Sequence, residues 1–164
     1  LIHVAGEPNP IFASVIDHLP PAVARPMFSP SFPEGETWAR SNENQRKMLK
    51  KLYDNGVQLV PGSDSIAAFT IHRELEVYVE AGIPEAAVLR MATLDSARVV
   101  GVDDRTGSIT VGKDADLILL NGNPLNDISA VRRATLVMKG KNAYRPDELY
   151  KVVGVKPFLD STEI

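Results

Sequence analysis

The sequence has no cysteine, no block of basic residues and no long apolar run. Without cysteine, disulfide bonds and thiolate metal sites are excluded, and a reducing compartment is compatible. Lysine and arginine number 18 against 21 acidic residues, a net charge of −3 over 164 residues, which does not favour nucleic acid or an anionic membrane as a partner. Apolar runs such as that at 117–120 are too short to span a bilayer. We therefore expect a globular, cytoplasmic protein.

The composition divides the chain into four parts. Residues 1–40 hold more than half of the 12 prolines and predict an irregular connection, because proline removes a backbone donor and restricts the residue before it. Residues 41–103 predict helices around a short strand, and 104–145 predict a small all-β unit. Residues 146–164 predict a closing helix and a tail. Helices and a strand joined by tight links are typical of a parallel sheet, so the expected fold class is α/β.

Turn and capping residues set the bounds of the predicted elements. The predicted helices cover 45–53, 71–81, 84–91 and a short fourth segment that Thr93 caps and that ends before Gly101. Asp127 is predicted to cap a single helical turn, and Pro146 to open the last helix. The predicted strands cover 57–60, 108–111 and 116–120, followed by a hairpin of 135–138 and 141–144 around Gly140.

The loop at 62–65 carries the strongest candidate for catalysis. Its carboxylate, Asp64, follows an apolar strand and precedes a helix. In a barrel of parallel strands, residues at the C-terminal end of a strand face the active site, where a carboxylate can bind a metal or act as a general base. Aspartate and serine are also common in turns, so a structural role stays open from spacing alone.

The three histidines, His3, His18 and His72, form neither a His-x-His nor a His-Glu-x-x-His pair. Together with Asp64 they could supply four metal ligands, but nothing in their separations favours that site. His72 lies eight residues after Asp64, in the first turn of a predicted helix, and could reach the same cleft. A surface or capping role is the simpler interpretation of this histidine.

Other patterns look functional but lack what the chemistry needs. Residues 107–114 nearly match a phosphate loop, yet Asp114 replaces the hydroxyl that would hold magnesium, and the β-branched interior predicts a strand. The serines, aspartate and histidine of 63–72 suggest a serine hydrolase, but no Gly-x-Ser-x-Gly elbow is present. A basic cluster is interpreted as the solvated face of an edge hairpin; its members are Arg132, Arg133, Lys139 and Lys141.

Six short stretches, taken in order, resemble the C-terminal part of metal-dependent amidohydrolases. The likeness is greatest to the branch of imidazolonepropionase and Xaa-Pro dipeptidase. The stretches are 55–65, 72–76, 81–84, 92–98, 107–117 and 123–128. Each is weak by itself, but six in this order and at these separations are a strong signal. The resemblance covers residues 45–145 and does not extend to the first forty.

The resemblance implies the C-terminal part of a TIM-like (β/α)8 barrel and part of a small β-sandwich made from both chain ends. Residues 57–60 would be the last barrel strand. Asp64 would then bind a divalent metal, usually zinc in this family, and take a proton from the attacking water. Ser65 and His72 would shape the substrate pocket. The implied substrate is a small molecule with an amide or cyclic amide C–N bond.

The family's metal histidines, including a His-x-His pair, have no counterpart in this sequence, so we expect them to precede Leu1. The chain is then a C-terminal fragment, inactive by itself, whose apolar surface is covered by the missing N-terminal portion or by a second copy in a homo-oligomer. One alternative is a stand-alone, non-catalytic binding or assembly module descended from this fold. Another is a small complete hydrolase that uses the three histidines and Asp64. An upstream His-x-His pair would distinguish the enzyme from the module.

Overall fold

The fold is described from a computed structural model, which places residues 12–25, 35–63 and 69–159. The helices are α1 (Pro21–Ala24), α2 (Gly35–Asp54), α3 (Phe69–Glu80), α4 (Glu85–Arg90), α5 (Ser96–Val99) and α6 (Pro146–Val152). Short 3₁₀ turns cover Ile16–His18 and Ile128–Arg132. The strands are β1 (Leu117–Leu120), β2 (Ala134–Lys139) and β3 (Asn142–Tyr144). No helix in the described ranges has the length and apolar character to cross a membrane.

The helix α2 begins at Gly35, several residues before the predicted cap at Ser41 or Asn42. Ser41 and Asn42 are tolerated inside the helix because ion pairs one turn apart support its exposed face, from Glu43 to Lys47 and from Lys50 to Asp54. The 3₁₀ turn and α1 also fall within the stretch predicted as irregular. The division of the chain into four parts stays a prediction.

The sheet is antiparallel, with strand order β1-β2-β3. Leu117 lies opposite Met138, and the register shifts at Leu120. The predicted hairpin is confirmed: β2 and β3 pair across a turn at Gly140, whose φ of 58° lies in the left-handed region that glycine adopts without strain. The predicted strand at 116–120 is also confirmed, one residue shorter.

Two other predicted strands, 57–60 and 108–111, are wrong. In the described part of the chain, the three strands above form the only sheet, so neither segment has a neighbour to complete its hydrogen bonds. Residues 57–60 lack a ladder, and Ile109 and Val111 are almost fully exposed. β-branched residues favour a strand only where packing and pairing are available. Neither run is paired, and although Leu59 packs against a buried apolar cluster, the β-branched residues Val57, Val60, Ile109 and Val111 are exposed. The expected parallel pairing is likewise not seen among these residues.

The helix predicted to start at Thr93 is instead continuous with the one before it. The backbone runs from α4 through a π-helical turn, Met91–Asp95, into α5. Thr93 does not cap a helix; its hydroxyl donates to the Leu89 carbonyl at 2.7 Å. The Ser96 hydroxyl donates to the Met91 carbonyl at 2.5 Å, a side-chain bond to the backbone that accompanies the widened turn. Pro84, predicted as the first helical residue, is the cap preceding α4.

The apolar core forms two clusters. The larger joins α3, α4 and the second 3₁₀ turn; its buried residues are Leu75, Tyr78, Ile83, Val88, Met91, Ile128 and Val131. The smaller brings the two ends of the described chain together; its buried residues are Val15, Ile16, Leu19, Ala24 and Val155. We call residues 12–25 the N-terminal segment. It also makes a polar contact with the second 3₁₀ turn, through Ser14 and Arg132.

The loop that resembles a phosphate site is held by its own lysine. The Lys113 ammonium donates to the Thr106 carbonyl at 3.1 Å and to the Ser108 hydroxyl at 2.8 Å, and also contacts the Asp103 carbonyl. This lysine is therefore not available to a phosphate. The rejection of a phosphate loop holds, although the loop contains turns where a strand was expected.

Gly107 and Gly112 in this loop offer a matched pair of substitutions. Both have positive φ, 82° and 93°, so alanine at either position costs about 1–2 kcal/mol of stability. A Cβ at Gly107 would also lie 2.7 Å from the Ala97 Cβ and 3.0 Å from the Leu94 Cα, whereas at Gly112 nothing lies within 4 Å. We expect Gly107→Ala to lower the free energy of unfolding in urea by about 1–3 kcal/mol more than Gly112→Ala. Equal losses would show that residues 94–97 and Gly107 are not packed together.

Candidate functional site

The residues that flank the candidate catalytic loop lie close together. Residues 64–68 begin within the loop that the sequence predicts at 62–65, and we call them the Asp64 loop for that reason. They lie outside the described residues, so the roles of Asp64 and Ser65 stay predictions. On either side of this loop, the hydroxyl groups of Ser63 and Thr70 are in contact. This contact brings Ser63 to the start of α3.

His72 follows directly in the first turns of α3 and is half-buried. Burial lowers the pKa of its imidazole to about 4, and the positive charge of Arg132 adds to this effect. The ring is therefore neutral at physiological pH. A neutral imidazole both donates and accepts hydrogen bonds, whereas a cationic one would only donate. The predicted role of His72 at the substrate pocket stays a prediction.

A buried ion pair holds α3 against the second 3₁₀ turn. One terminal nitrogen of Arg132, Nη2, lies 2.7 Å from Glu76 Oε1, and the two side chains are only 5% and 11% exposed. The other, Nη1, donates to the Ser14 hydroxyl at 2.9 Å. Arg132 is held in the 3₁₀ turn that Asp127 caps by accepting from the Ser129 amide at 3.0 Å, which confirms the predicted cap. One guanidinium group thus joins three distant segments.

Arg73 extends this pair along α3. Its Nη1 donates to Glu76 Oε2 at 2.9 Å and to Glu80 Oε1 at 2.5 Å. Burial opposes the charge of Arg73, but the hydrogen bonds that it donates to Glu80 and Glu76, together with the charges of these carboxylates, outweigh the burial and raise its pKa. Burial lowers the pKa of Arg132, although the Glu76 carboxylate opposes the effect. We call these side chains the Arg132 network: Ser14, Arg73, Glu76, Glu80 and Arg132.

The network borders an open groove of about 540 Å³ between α3, the second 3₁₀ turn and the N-terminal segment. Besides the network itself, its lining residues are Ala13, Ser129, Arg133 and Phe158. The groove combines three guanidinium groups with two carboxylates, so most of its charge is balanced internally. We therefore assign the groove a structural role, as part of the contact between α3, the second 3₁₀ turn and the N-terminal segment, which we call the junction.

The interpretation of Arg132 as a solvated surface residue is wrong. Its side chain is buried because Ile128, Ala130 and Val131 in the same 3₁₀ turn are also buried. The sequence does contain a weak signal for the ion pair within α3, since Arg73 and Glu76 are one turn apart on the predicted helix. Nothing in the sequence, however, connects either of them to Arg132.

Within the described residues, no three histidine or acidic side chains converge to hold a metal ion. His18 serves another purpose there: its Nδ1 lies 3.1 Å from the carbonyl oxygens of both Lys156 and Pro157, and its ring stacks on Phe158. His18 thus ties the N-terminal segment to the C-terminal end of the described chain. The described residues alone do not supply the ligands of a metal centre.

Comparison with protein families identifies the class. The model of the amidohydrolase family matches residues 15–143, which is most of the chain. The chain belongs to the amidohydrolase family, as its sequence motifs indicate. The match includes α3, the position of Asp64 and every residue of the Arg132 network except Ser14.

Individual relatives agree with this assignment. A probable allantoinase 2 from Dictyostelium discoideum is 34% identical over 73 residues, 44% of this chain and 14% of that protein. The crystal structure of a Xaa-Pro dipeptidase with bound methionine in the active site is 33% identical, with a TM-score of 0.58 over 61% of this chain and 25% of the other. A putative prolidase from Bifidobacterium longum is also 33% identical, with a TM-score of 0.56 over 70% of this chain and 28% of the other.

The chain spans between 10% and 20% of the length of the curated relatives that it matches. Its similarity to the solved structures above likewise covers about a quarter of each of them. What these relatives have in common with the chain is therefore one portion of a larger protein.

The burial of Glu76 predicts a large loss of stability when its charge is removed. Glu76→Gln leaves the buried Arg132 without a carboxylate, and we expect the free energy of unfolding to fall by about 3 kcal/mol. Glu80→Gln removes a carboxylate that is 43% exposed and should cost under about 1 kcal/mol. Urea unfolding of the two variants tests the difference, and a similar small loss in both would mean that the buried pair contributes little.

The low pKa of His72 predicts a dependence of stability on pH. In the unfolded chain this imidazole has its ordinary pKa of 6.5, so between pH 6.5 and about 4 the unfolded state binds the proton and the folded state does not. The free energy of unfolding should therefore fall by about 2–3 kcal/mol as the pH is lowered through this range. His72→Gln should remove that fall, and His18→Gln, as the control, should retain it. If the free energy of unfolding of His72→Gln still fell in the same way with pH, His72 would not be the group responsible.

Proposed function

We propose that this chain is the C-terminal part of a metal-dependent amidohydrolase that cleaves an amide or cyclic amide C–N bond in a small molecule. The observation that carries the proposal is the family match over residues 15–143, which includes the stretch with Asp64. The relatives named above, an allantoinase and Xaa-Pro dipeptidases, hydrolyse C–N bonds and support the reaction class. The chain would hold the C-terminal part of the barrel, in which residues 57–60 would pair as a strand only with the rest of the protein, and part of the β-sandwich.

In this proposal Asp64 is a metal ligand and the general base. A divalent metal, zinc in the usual case, lowers the pKa of water toward about 7 when bound and so supplies a nucleophile at neutral pH. The Asp64 carboxylate accepts the proton that the attacking water loses. Because the described residues hold no group of three ligands, the remaining ligands would come from elsewhere in the complete enzyme.

The neighbouring residues would orient the substrate. Ser65 follows Asp64 directly and can offer a hydroxyl at the mouth of the pocket. His72 lies two residues beyond Thr70, whose hydroxyl contacts Ser63 at the other end of the Asp64 loop. With a pKa of about 4, its neutral ring is suited to a hydrogen bond with an uncharged group of the substrate and not to pairing with a carboxylate.

The role of Asp64 is tested by Asp64→Asn in the complete enzyme. The amide keeps the size of the side chain but cannot accept the proton, so we expect hydrolysis to fall at least about 100-fold. Asp104→Asn is the control, because Asp104 is exposed on the loop that follows α5 and should leave the rate unchanged. The assay would use Xaa-Pro dipeptides and small cyclic amides. Full activity of Asp64→Asn would remove Asp64 from the mechanism.

The proposal also predicts that the 164-residue chain alone is inactive, because one carboxylate cannot replace the missing ligands. The apolar side chains of Ile109 and Val111 would be covered by the N-terminal portion of the same protein or by a second copy. Two measurements on the same sample test this prediction: its intact mass under denaturing conditions and its rate of hydrolysis. Hydrolysis by material of a single species at 164 residues would contradict it and would support a small complete hydrolase.

A further inference from the structure

We propose that Arg132 is a positioning residue for His72 and the first turns of α3, because its guanidinium group joins α3 to the N-terminal segment. The inference rests on the proposed function in one respect, that His72 lies at the substrate pocket. The contacts that carry it belong entirely to described residues: Arg132 with Ser14 and with Glu76.

The connection from Arg132 to the loop is short and rigid. Glu76 and Thr70 lie on the same helix, six residues apart, which corresponds to about 9 Å along the axis. At the far end of this span, the Thr70 hydroxyl contacts that of Ser63 across the ends of the Asp64 loop. A shift of Glu76 therefore moves Thr70 and His72 with it.

The geometry requires arginine and not merely a positive charge. Two different nitrogen atoms of the planar group contact Glu76 and Ser14, which lie on separate segments. Lysine has one nitrogen at the end of a flexible stem and cannot hold the same two partners in a fixed fork. Because the Arg132 side chain is only 5% exposed, little solvent is available to replace a lost contact.

Arg133 provides a matched control in the next position of the chain. Its side chain is 40% exposed, and its Nη2 lies 3.6 Å from the Asp127 carboxylate. It has no ion pair with α3 among the described contacts. A substitution of Arg133 changes the net charge of the same turn by the same amount as one of Arg132, but leaves the pair with Glu76 intact.

The test uses Arg132→Lys, Arg132→Gln and Arg133→Gln in the complete protein. Hydrogen exchange within 70–73 reports the first turns of α3 at the amides that donate inside the helix, since the first amides of a helix have no intrahelical acceptor. The exchange of β2 serves as the reference for a change elsewhere in the structure. The nitrogen resonances of His72, identified by their loss in His72→Gln, report its titration. Neither readout requires the enzyme to be active.

We expect both Arg132 variants to accelerate exchange at 70–73 by about tenfold or more relative to β2. Arg132→Gln should also raise the pH midpoint of His72, because it removes the neighbouring charge, whereas Arg132→Lys should keep the midpoint low. Arg133→Gln should change neither quantity. If Arg132→Gln fails to fold, the exchange at 70–73 in Arg132→Lys still tests whether Arg132 positions the start of α3.

Three results would overturn the proposal: unchanged exchange at 70–73 in Arg132→Lys, equal acceleration in α3 and β2, or an effect of Arg133→Gln as large as that of Arg132→Gln. The second result would leave Arg132 with a general structural role only. Failure of the proposed function is recognised separately, since it appears as full activity of Asp64→Asn and does not affect these measurements.

Discussion

The buried ion pair between Arg132 and Glu76 is the interaction on which the arrangement of the described residues depends. Removing two charges from water is costly, and their attraction offsets that cost only when the geometry is good and the remaining polar atoms are bonded. Here the condition is met in part: Glu76 also accepts from Arg73 and Arg132 also donates to Ser14, whereas Arg132 Nε is buried without a hydrogen-bond partner among the described residues. The larger apolar cluster already joins α3 and the second 3₁₀ turn, and the smaller one holds the N-terminal segment. The Arg132 side chain connects the two through its contacts with Glu76 and Ser14.

This junction bears on function because α3 begins where the Asp64 loop ends. The loop is bracketed by Ser63 and Thr70, and the next polar group on the helix, His72, is held neutral by burial and by Arg132. An amidohydrolase needs a carboxylate and its neighbours at fixed positions around the scissile bond. In the proposed enzyme, the precision of that arrangement comes in part from a structural ion pair that does not contact the substrate.

The elements that could be predicted from the sequence are those that local interactions determine. The hairpin around Gly140, the turn capped by Asp127 and the helix over Phe69–Glu80 need only neighbouring residues, and each is present. The strands at 57–60 and 108–111 could not be predicted correctly, because a strand exists only with a partner from elsewhere. The family could be predicted because six motifs kept their order and separations.

The candidate site was harder to predict. Arg132 and Glu76 are 56 positions apart, and a charged residue next to another arginine is normally solvated, so its burial becomes evident only from the packing of the 3₁₀ turn. The neutral state of His72 follows from the same tertiary contact and has no local signal. Asp64 had a local signal, its place after an apolar run, and its role still depends on residues outside the described ranges.

The most direct test of this account is a double-mutant cycle for Arg132→Gln and Glu76→Gln, measured by urea unfolding. If the two side chains stabilise the protein through each other, the double variant should lose less stability than the sum of the two single losses, by at least about 1 kcal/mol. If the losses add to within about 0.3 kcal/mol, Arg132 and Glu76 act independently, and the junction described above is not what holds α3 in place.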